Sequence, residues 1–217
     1  CDLSRHYRLD SGEAKRMISA WLQNDFNLEN VAAAVAFAKS QDIPFDMIFR
    51  ALETFPGVSG RVEYIRKEPF AVVVDYAHTP ESLEAVYEAV SERKSRPLIC
   101  VLGSAGGGRD KWKRPRMGAI AGQYCKEIIL TNEDPYDEPP EQILDEIERG
   151  IFGAASETQY EKILDRREAI AKALAIAKPG DAVVLIGKGS ESFIHIAGGK
   201  RVSWNERAVV EELLNSH

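Results

Sequence analysis

The sequence predicts an α/β fold, a doubly wound and mostly parallel sheet preceded by a helical segment, and three observations predict it. After about residue 61, short apolar runs alternate with stretches whose apolar residues recur at helical spacing. Before residue 60 the chain reads as helix, with little strand character. Segments dense in glycine, proline and charge follow the apolar runs, which is where an open α/β sheet keeps its ligands.

In chain order, the alanine-rich "ENVAAAVAFAKS" and the periodic "IPFDMIFRALETF" predict two helices within residues 29–55. Past "PGVSGR", the buried run "FAVVVDYA" predicts a strand. It leads into "PESLEAVYEAVSERK", whose Leu83, Val86, Tyr87 and Val90 fall on one helical face. Strand "PLICVL", a helix around Met117, Ile120, Ala121 and Tyr124, strand "EIILT" and helix "PPEQILDEIERGI" follow. A short strand near "YEKIL", helix "REAIAKALAIAK", strand "DAVVLIG" and a last helix "NERAVVEELLNS" complete the run of βα units. The doubly wound domain is therefore placed at residues 61–217. Residues 1–60 are too few and too helical for a domain of usual size and read as the tail of a truncated one.

Composition excludes several classes. The 217 residues carry a formal charge of -6, against a general nucleic-acid binder, whose footprint is a basic excess. No apolar run reaches the roughly 18 residues of a membrane span and no signal segment opens the chain, so a cytoplasmic location is expected. Cys1, Cys100 and Cys125 are odd in number and lack metal-ligand spacing; they are expected to be free thiols, with no structural disulfide and no metal site.

Four segments after strands carry candidate chemistry. In "VDYAHTP", Asp75 and His78 stand at a strand end, and Thr79 with Pro80 cap the next helix. In "VLGSAGGGRDKWKRP", Gly103, Gly106, Gly107 and Gly108 let the backbone approach a ligand. Arg109, Lys111, Lys113, Arg114 and the nearby Arg116 offer charge for phosphate or carboxylate. "TNEDPYDEPP" concentrates Glu133, Asp134, Asp137 and Glu138, a set suited to a cation, either a metal or the amino group of a basic substrate. "IGKGSESF" brings Lys188 and Glu191 to the same edge. Neither the basic loop nor "GKGS" has P-loop spacing. His6, His195 and His217 have no partner at ligand spacing and are assigned no role.

Taken in order, "FNLEN", "SGRVE", "VDYAHTP", "GGGRDKWKRP", "NEDP" and "GKGSE" resemble the Mur ligase family, in its MurE-like branch, from about residue 24 to the C-terminus. The resemblance implies part of an ATP-dependent acid–amino-acid ligase. That enzyme adds the third residue of the peptidoglycan stem peptide to UDP-N-acetylmuramoyl-L-alanyl-D-glutamate. Of the family's three domains, residues 1–60 would be the helical tail of the central ATPase domain and residues 61–217 the C-terminal Rossmann-like domain. The family's ATP loop, Mg2+ ligands and modified lysine have no counterpart here, so no catalytic residue is assigned and this chain alone is expected not to ligate.

By the same resemblance, Asn27, Asn30, Arg61, Asp75 and His78 would face the nucleotide. Arg109, Asp110, Lys111, Glu133, Asp134, Gly187 and Glu191 would hold the incoming amino acid. Members that take meso-diaminopimelate read "DNPR" where this chain has Glu133, Asp134, Pro135 and Tyr136. An acidic run without that Arg suits a distal ammonium, so L-lysine is expected, with ornithine the near alternative. A non-catalytic amino-acid or partner-binding module, or a folylpolyglutamate- or cyanophycin-synthetase-like ligase, are the competing readings.

Overall fold

The computed structural model describes residues 25–91, 95–108, 110–154 and 158–216. Between Val58 and Ser59 the chain divides into two units. The first holds α1 (Asp25–Ser40) and α2 (Phe45–Glu53), as the helical spacing predicts. Val31 and Val35, one helical turn apart on α1, pack on Ile48 of α2 with Leu52 and Phe55 alongside.

The second unit begins with β1 (Glu63–Arg66), β2 (Ala71–Asp75), α3 (Pro80–Val90), β3 (Leu98–Leu102), α4 (Lys113–Tyr124) and β4 (Cys125–Leu130). It continues with α5 (Pro140–Ala154), β5 (Gln159–Lys162), α6 (Arg166–Ile176) and β6 (Ala182–Ile186). A hairpin of β7 (Phe193–Ile196) and β8 (Lys200–Ser203) precedes α7 (Glu206–Asn215). The main sheet has the order β1-β2-β6-β3-β4-β5, and every pairing in it is parallel except β1 with β2.

Each βα unit has a local cause. β2, β3 and β6 are buried along their whole length, which explains why their sequences read as continuous apolar runs rather than alternating ones. α3 starts where Thr79 and Ser82 form a capping box and Pro80 supplies the first-turn φ. Asp165 and Asn205 cap α6 and α7 by accepting from the amides of Glu168 and Ala208, each at 2.9 Å.

Helices cover both faces. Ala169, Ile170 and Ala173 of α6 and Val210 of α7 pack on Val72, Ile99 and Val183. On the opposite face α3 touches β6, α4 touches β4, and α4 packs along α5. That last packing is backbone-close: a Cβ at Gly118 of α4 would overlap the Ile147 carbonyl of α5.

The cysteine expectation is corrected. Cys100 of β3 and Cys125 of β4 form a disulfide, with Cα atoms 6.0 Å apart. Register is the reason: Leu98 pairs with Cys125, so two cysteines 25 residues apart in sequence become diagonal neighbours on one sheet face. Two further features lay outside the sequence reading. β1 is an edge strand of half-buried "EYIR" without an apolar run, and the β7–β8 hairpin closes through Gly198 and Gly199.

Candidate functional site

Because β2, β6, β3 and β4 run parallel and adjacent, the loops leaving them open on one edge of the sheet. The four segments singled out in the sequence are those loops.

At the end of β2, Asp75 is 3% exposed. Its carboxylate accepts from the amides of Val62 (2.7 Å) and Ala77 (2.6 Å), fastening the approach to β1 onto β2. Burial raises the Asp75 carboxyl, against the lowering effect of those two amides and of Arg61 and His78. Tyr76, which the sequence reading passed over, organises the rest. The Arg61 guanidinium lies 4.8 Å from the centre of its ring, and its carbonyl oxygen stands 3.1 Å from His78 Nδ1. Its hydroxyl donates to Glu191 at 3.1 Å. Arg61, Asp75 and His78 are thus brought together. Asn27 and Asn30 lie on α1 in the other unit, Asn27 buried and Asn30 exposed.

The glycine-rich loop corrects the expectation that its whole basic set faces a ligand. Arg114 is fully buried and bonds Glu138 (3.0 Å), Glu146 (2.6 Å) and the Ala105 carbonyl (3.0 Å), because the loop needs a cation beneath it to satisfy these oxygens. Lys111 pairs with Glu138 at 2.9 Å, and Arg116 reaches Glu81 at 3.3 Å. Asp110 is exposed and accepts through its carbonyl from the Lys113 amide at 3.0 Å. Arg109 lies outside the described residues.

The acidic segment needs the same correction. Arg114 leads in holding the Glu138 carboxyl down at about 2, with the Gly108 amide and Lys111 assisting. Asp137 accepts from the Gly198 amide at 2.7 Å. Asp134 accepts from Lys188 Nζ (2.9 Å) and the His195 amide (2.7 Å), and the fully buried Lys188 also donates to Glu191 at 2.6 Å. Tyr136 stacks on His195, ring centres 5.1 Å apart. Three of the four carboxylates are therefore bound up in holding loops together.

Glu133 is the exception. It is 5% exposed, and its Oε2 has no hydrogen-bond partner among the described residues; neither has the buried Ser104 Oγ of the neighbouring loop. Burial pushes the Glu133 carboxyl up from an ordinary 4.5 to about 7. Asp134 adds to the rise, while Arg166, Lys188 and Lys113 oppose it. Gly187, at φ 104°, lies against it, and a Cβ there would overlap the Glu133 carboxylate. An orphaned carboxyl oxygen and an orphaned hydroxyl at the carboxyl edge of the sheet fit a polar ligand group able to donate hydrogen bonds.

Arg166 was not found by sequence reasoning. It is the first residue of α6, where a cation opposes the helix dipole. That misplacement was the available signal, and its cause is burial beside Glu206. Among the described residues, no group of three His, Cys, Asp or Glu side chains could hold a metal ion. None of the described helices is long and apolar enough to cross a membrane.

An open, doubly wound sheet with charged and glycine-rich loops along its carboxyl edge belongs to the class of α/β domains that bind ligands at that edge. Residues 60–189 match the family described as "Mur ligase, glutamate ligase domain", and the chain belongs to the Mur ligase family.

Over 189 residues the chain is 43% identical to the UDP-N-acetylmuramoyl-L-alanyl-D-glutamate--2,6-diaminopimelate ligase of Thermosynechococcus vestitus, covering 86% of this chain and 37% of that protein. It is 43% identical over 196 residues to the UDP-N-acetylmuramyl-tripeptide synthetase of a Roseiflexus species, covering 89% and 38%. A solved UDP-N-acetylmuramoyl-L-alanyl-D-glutamate--2,6-diaminopimelate ligase superposes with a TM-score of 0.68 at 34% identity, over 89% of this chain and 39% of that one. The chain thus spans about two fifths of the length of the curated relatives it matches.

Proposed function

We propose that this chain is the amino-acid-delivering part of an ATP-dependent ligase that joins a diamino acid to UDP-N-acetylmuramoyl-L-alanyl-D-glutamate. The observation that carries the reading is Glu133. In a chain of this family, a buried carboxyl with an orphaned oxygen stands at the sheet edge against Gly187 and the glycine-rich loop. An ammonium is the ligand group that pairs with it.

The remaining residues take supporting roles. Arg109 holds the substrate's carboxylate, and Asp110 and Lys111 shape the same loop. Lys188 and Asp134 brace the floor, with Glu191 linking Lys188 to Tyr76. Arg61, held on the Tyr76 ring, and His78 suit the anionic and polar parts of a nucleotide, with Asp75 fastening their loop. ATP supplies a phosphoryl group that turns a carboxylate into an acyl donor. The residues described here position and shield the amine's carrier. Mg2+ would find its ligands outside the described residues. Substrates of this kind, a nucleotide and a UDP-linked sugar peptide, place the reaction in the cytoplasm.

L-lysine is the amino acid that the site chemistry favours. Within residues 131–138, Glu133 keeps a carboxyl oxygen without a partner among the described residues, no Lys or Arg is present, and Tyr136 offers a ring where a second substrate carboxylate would need a cation. Meso-diaminopimelate is the second reading, favoured by the names of relatives at 43% and 41% identity, both 2,6-diaminopimelate ligases. The test is ligation by the full-length protein with ATP, Mg2+, the UDP-linked dipeptide and each amino acid in turn, read by the mass of the product. A lysine tripeptide supports the acidic segment as selector, a diaminopimelate product moves selection elsewhere, and no product with any amino acid removes the ligase reading.

A further inference from the structure

We propose that Arg166 is a positioning residue: a buried guanidinium that, beside the Lys188–Asp134 pair, fixes the backbone exits of β4 and β6 relative to each other across the end of β3, and so sets the amino-acid site. The inference rests on the ligase reading for its kinetic half only.

Arg166 is 2% exposed and donates hydrogen bonds from two edges of its guanidinium plane. Its Nε donates to Glu206 Oε2 at 3.0 Å, and NH2 donates to Glu206 Oε1 at 2.5 Å. The outer side reaches two backbone carbonyls, Asn132 (3.0 Å, from NH1) and Ile186 (2.8 Å, from NH2). Asn132 is the residue before Glu133 and Asp134, and Ile186 is the residue before Gly187 and Lys188.

β4 and β6 do not pair; β3 lies between them in the sheet. Past the end of β3 the sheet's own hydrogen bonds can no longer hold their relative height, which the contact of Gly187 with the Glu133 carboxylate requires; the Lys188–Asp134 pair ties the two exits by side chains, and Arg166 ties their backbones. The planar, multiply donating guanidinium suits this span, and a lysine ammonium, a point charge on a flexible stem, does not. Glu206 neutralises and orients the guanidinium, and Trp204 Nε1 donates to Glu206 Oε2 at 2.6 Å, which fixes the carboxylate in turn. Glu133 and Asp134 also face Arg166 electrostatically, so the clamp contributes to the charge balance of the site it shapes.

The test uses the full-length protein in two variants. Arg166→Lys keeps a cation beside Glu206 but cannot span both carbonyls. The double variant Arg166→Met with Glu206→Leu removes the buried pair together, which spares the fold an unpaired charge. Two quantities are read: amide hydrogen exchange without substrate, and KM for the amino acid and for ATP.

The clamp predicts, in both variants, at least tenfold faster exchange confined to residues 131–138 and 187–191. It also predicts at least a tenfold rise in KM for the amino acid, with KM for ATP within about twofold of wild type. Wild-type exchange in these loops in both variants overturns the clamp, and a loss of thermal stability alongside it means that the pair serves only to hold the fold. An unchanged amino-acid KM, or rescue of it by Arg166→Lys, overturns its role in the site. If the wild-type protein ligates nothing, the ligase reading falls, and the exchange measurement alone decides the clamp.

Discussion

Replacing Glu133 by Gln should change how stability depends on pH, and the structure gives both sign and size. Burial lifts the folded carboxyl from 4.5 to about 7. Between these values the folded protein keeps a proton that the unfolded chain has released. Stability therefore falls as pH rises through the window, and the loss is complete above about 7.

At 1.36 kcal/mol per unit, the shift amounts to about 3 kcal/mol. For a chain of this size that is roughly 6–12 °C in melting temperature. The Gln variant cannot ionise, so this loss is absent from it, while the other titrating groups are common to both proteins and cancel in the difference. Thermal melts of the 217-residue chain and its variant at pH 4.5 and pH 8 read the effect. The melting temperature of the variant relative to wild type should rise by that amount from the lower to the higher pH. Any constant offset from packing an amide in place of a carboxyl is irrelevant to the slope. Parallel curves would show that the Glu133 carboxyl does not titrate between 4.5 and 7, and would refute its burial as an unpartnered acid.

Three further outcomes follow from the geometry. Gly187→Ala places a Cβ on the Glu133 carboxylate at a positive φ and should destabilise by about 1–3 kcal/mol, measured by urea unfolding, and weaken amino-acid binding in the full-length protein. Gly118→Ala drives α4 away from the Ile147 carbonyl of α5 and should cost a comparable amount while leaving the binding edge unaltered. Reducing the Cys100–Cys125 disulfide, which closes a 25-residue separation, should lower stability by about 3 kcal/mol on the chain-entropy account. Melts with and without reductant, with thiol counting to confirm the redox state, check it.

Where the sequence carried a local signal, the fold was legible in it. "AVVVD", "LICVL" and "AVVLI" are fully buried parallel strands, and full burial makes them read as unbroken apolar runs. Thr79–Pro80 announced a helix start through capping chemistry. β1 was not legible, because half-buried "EYIR" is held by antiparallel pairing with β2 rather than by any periodicity of its own.

The site was legible as a set of loops but not as a set of partners. Sequence places Asp134, Glu138, Lys111 and Arg114 near strand ends, yet only the folded sheet shows that these charges pair with one another or with Lys188 and Glu146. Pairing across more than 20 residues is a property of topology. The same holds for the Cys100–Cys125 bond and for Arg166, whose four oxygen partners come from three different segments. Glu133 could not be told from its neighbours in sequence, since what distinguishes it is the absence of a partner for Oε2 among the described residues.

The central claim is that the carboxyl edge of this sheet seats the incoming amino acid on Glu133. A crystal structure of the full-length protein with its amino-acid substrate tests it most directly. The account predicts the amino acid between Gly187 and the Gly103–Gly108 loop, with an ammonium within hydrogen-bond distance of Glu133 Oε2. An amino acid bound away from this edge, or one presenting a carboxylate to Glu133, would contradict it.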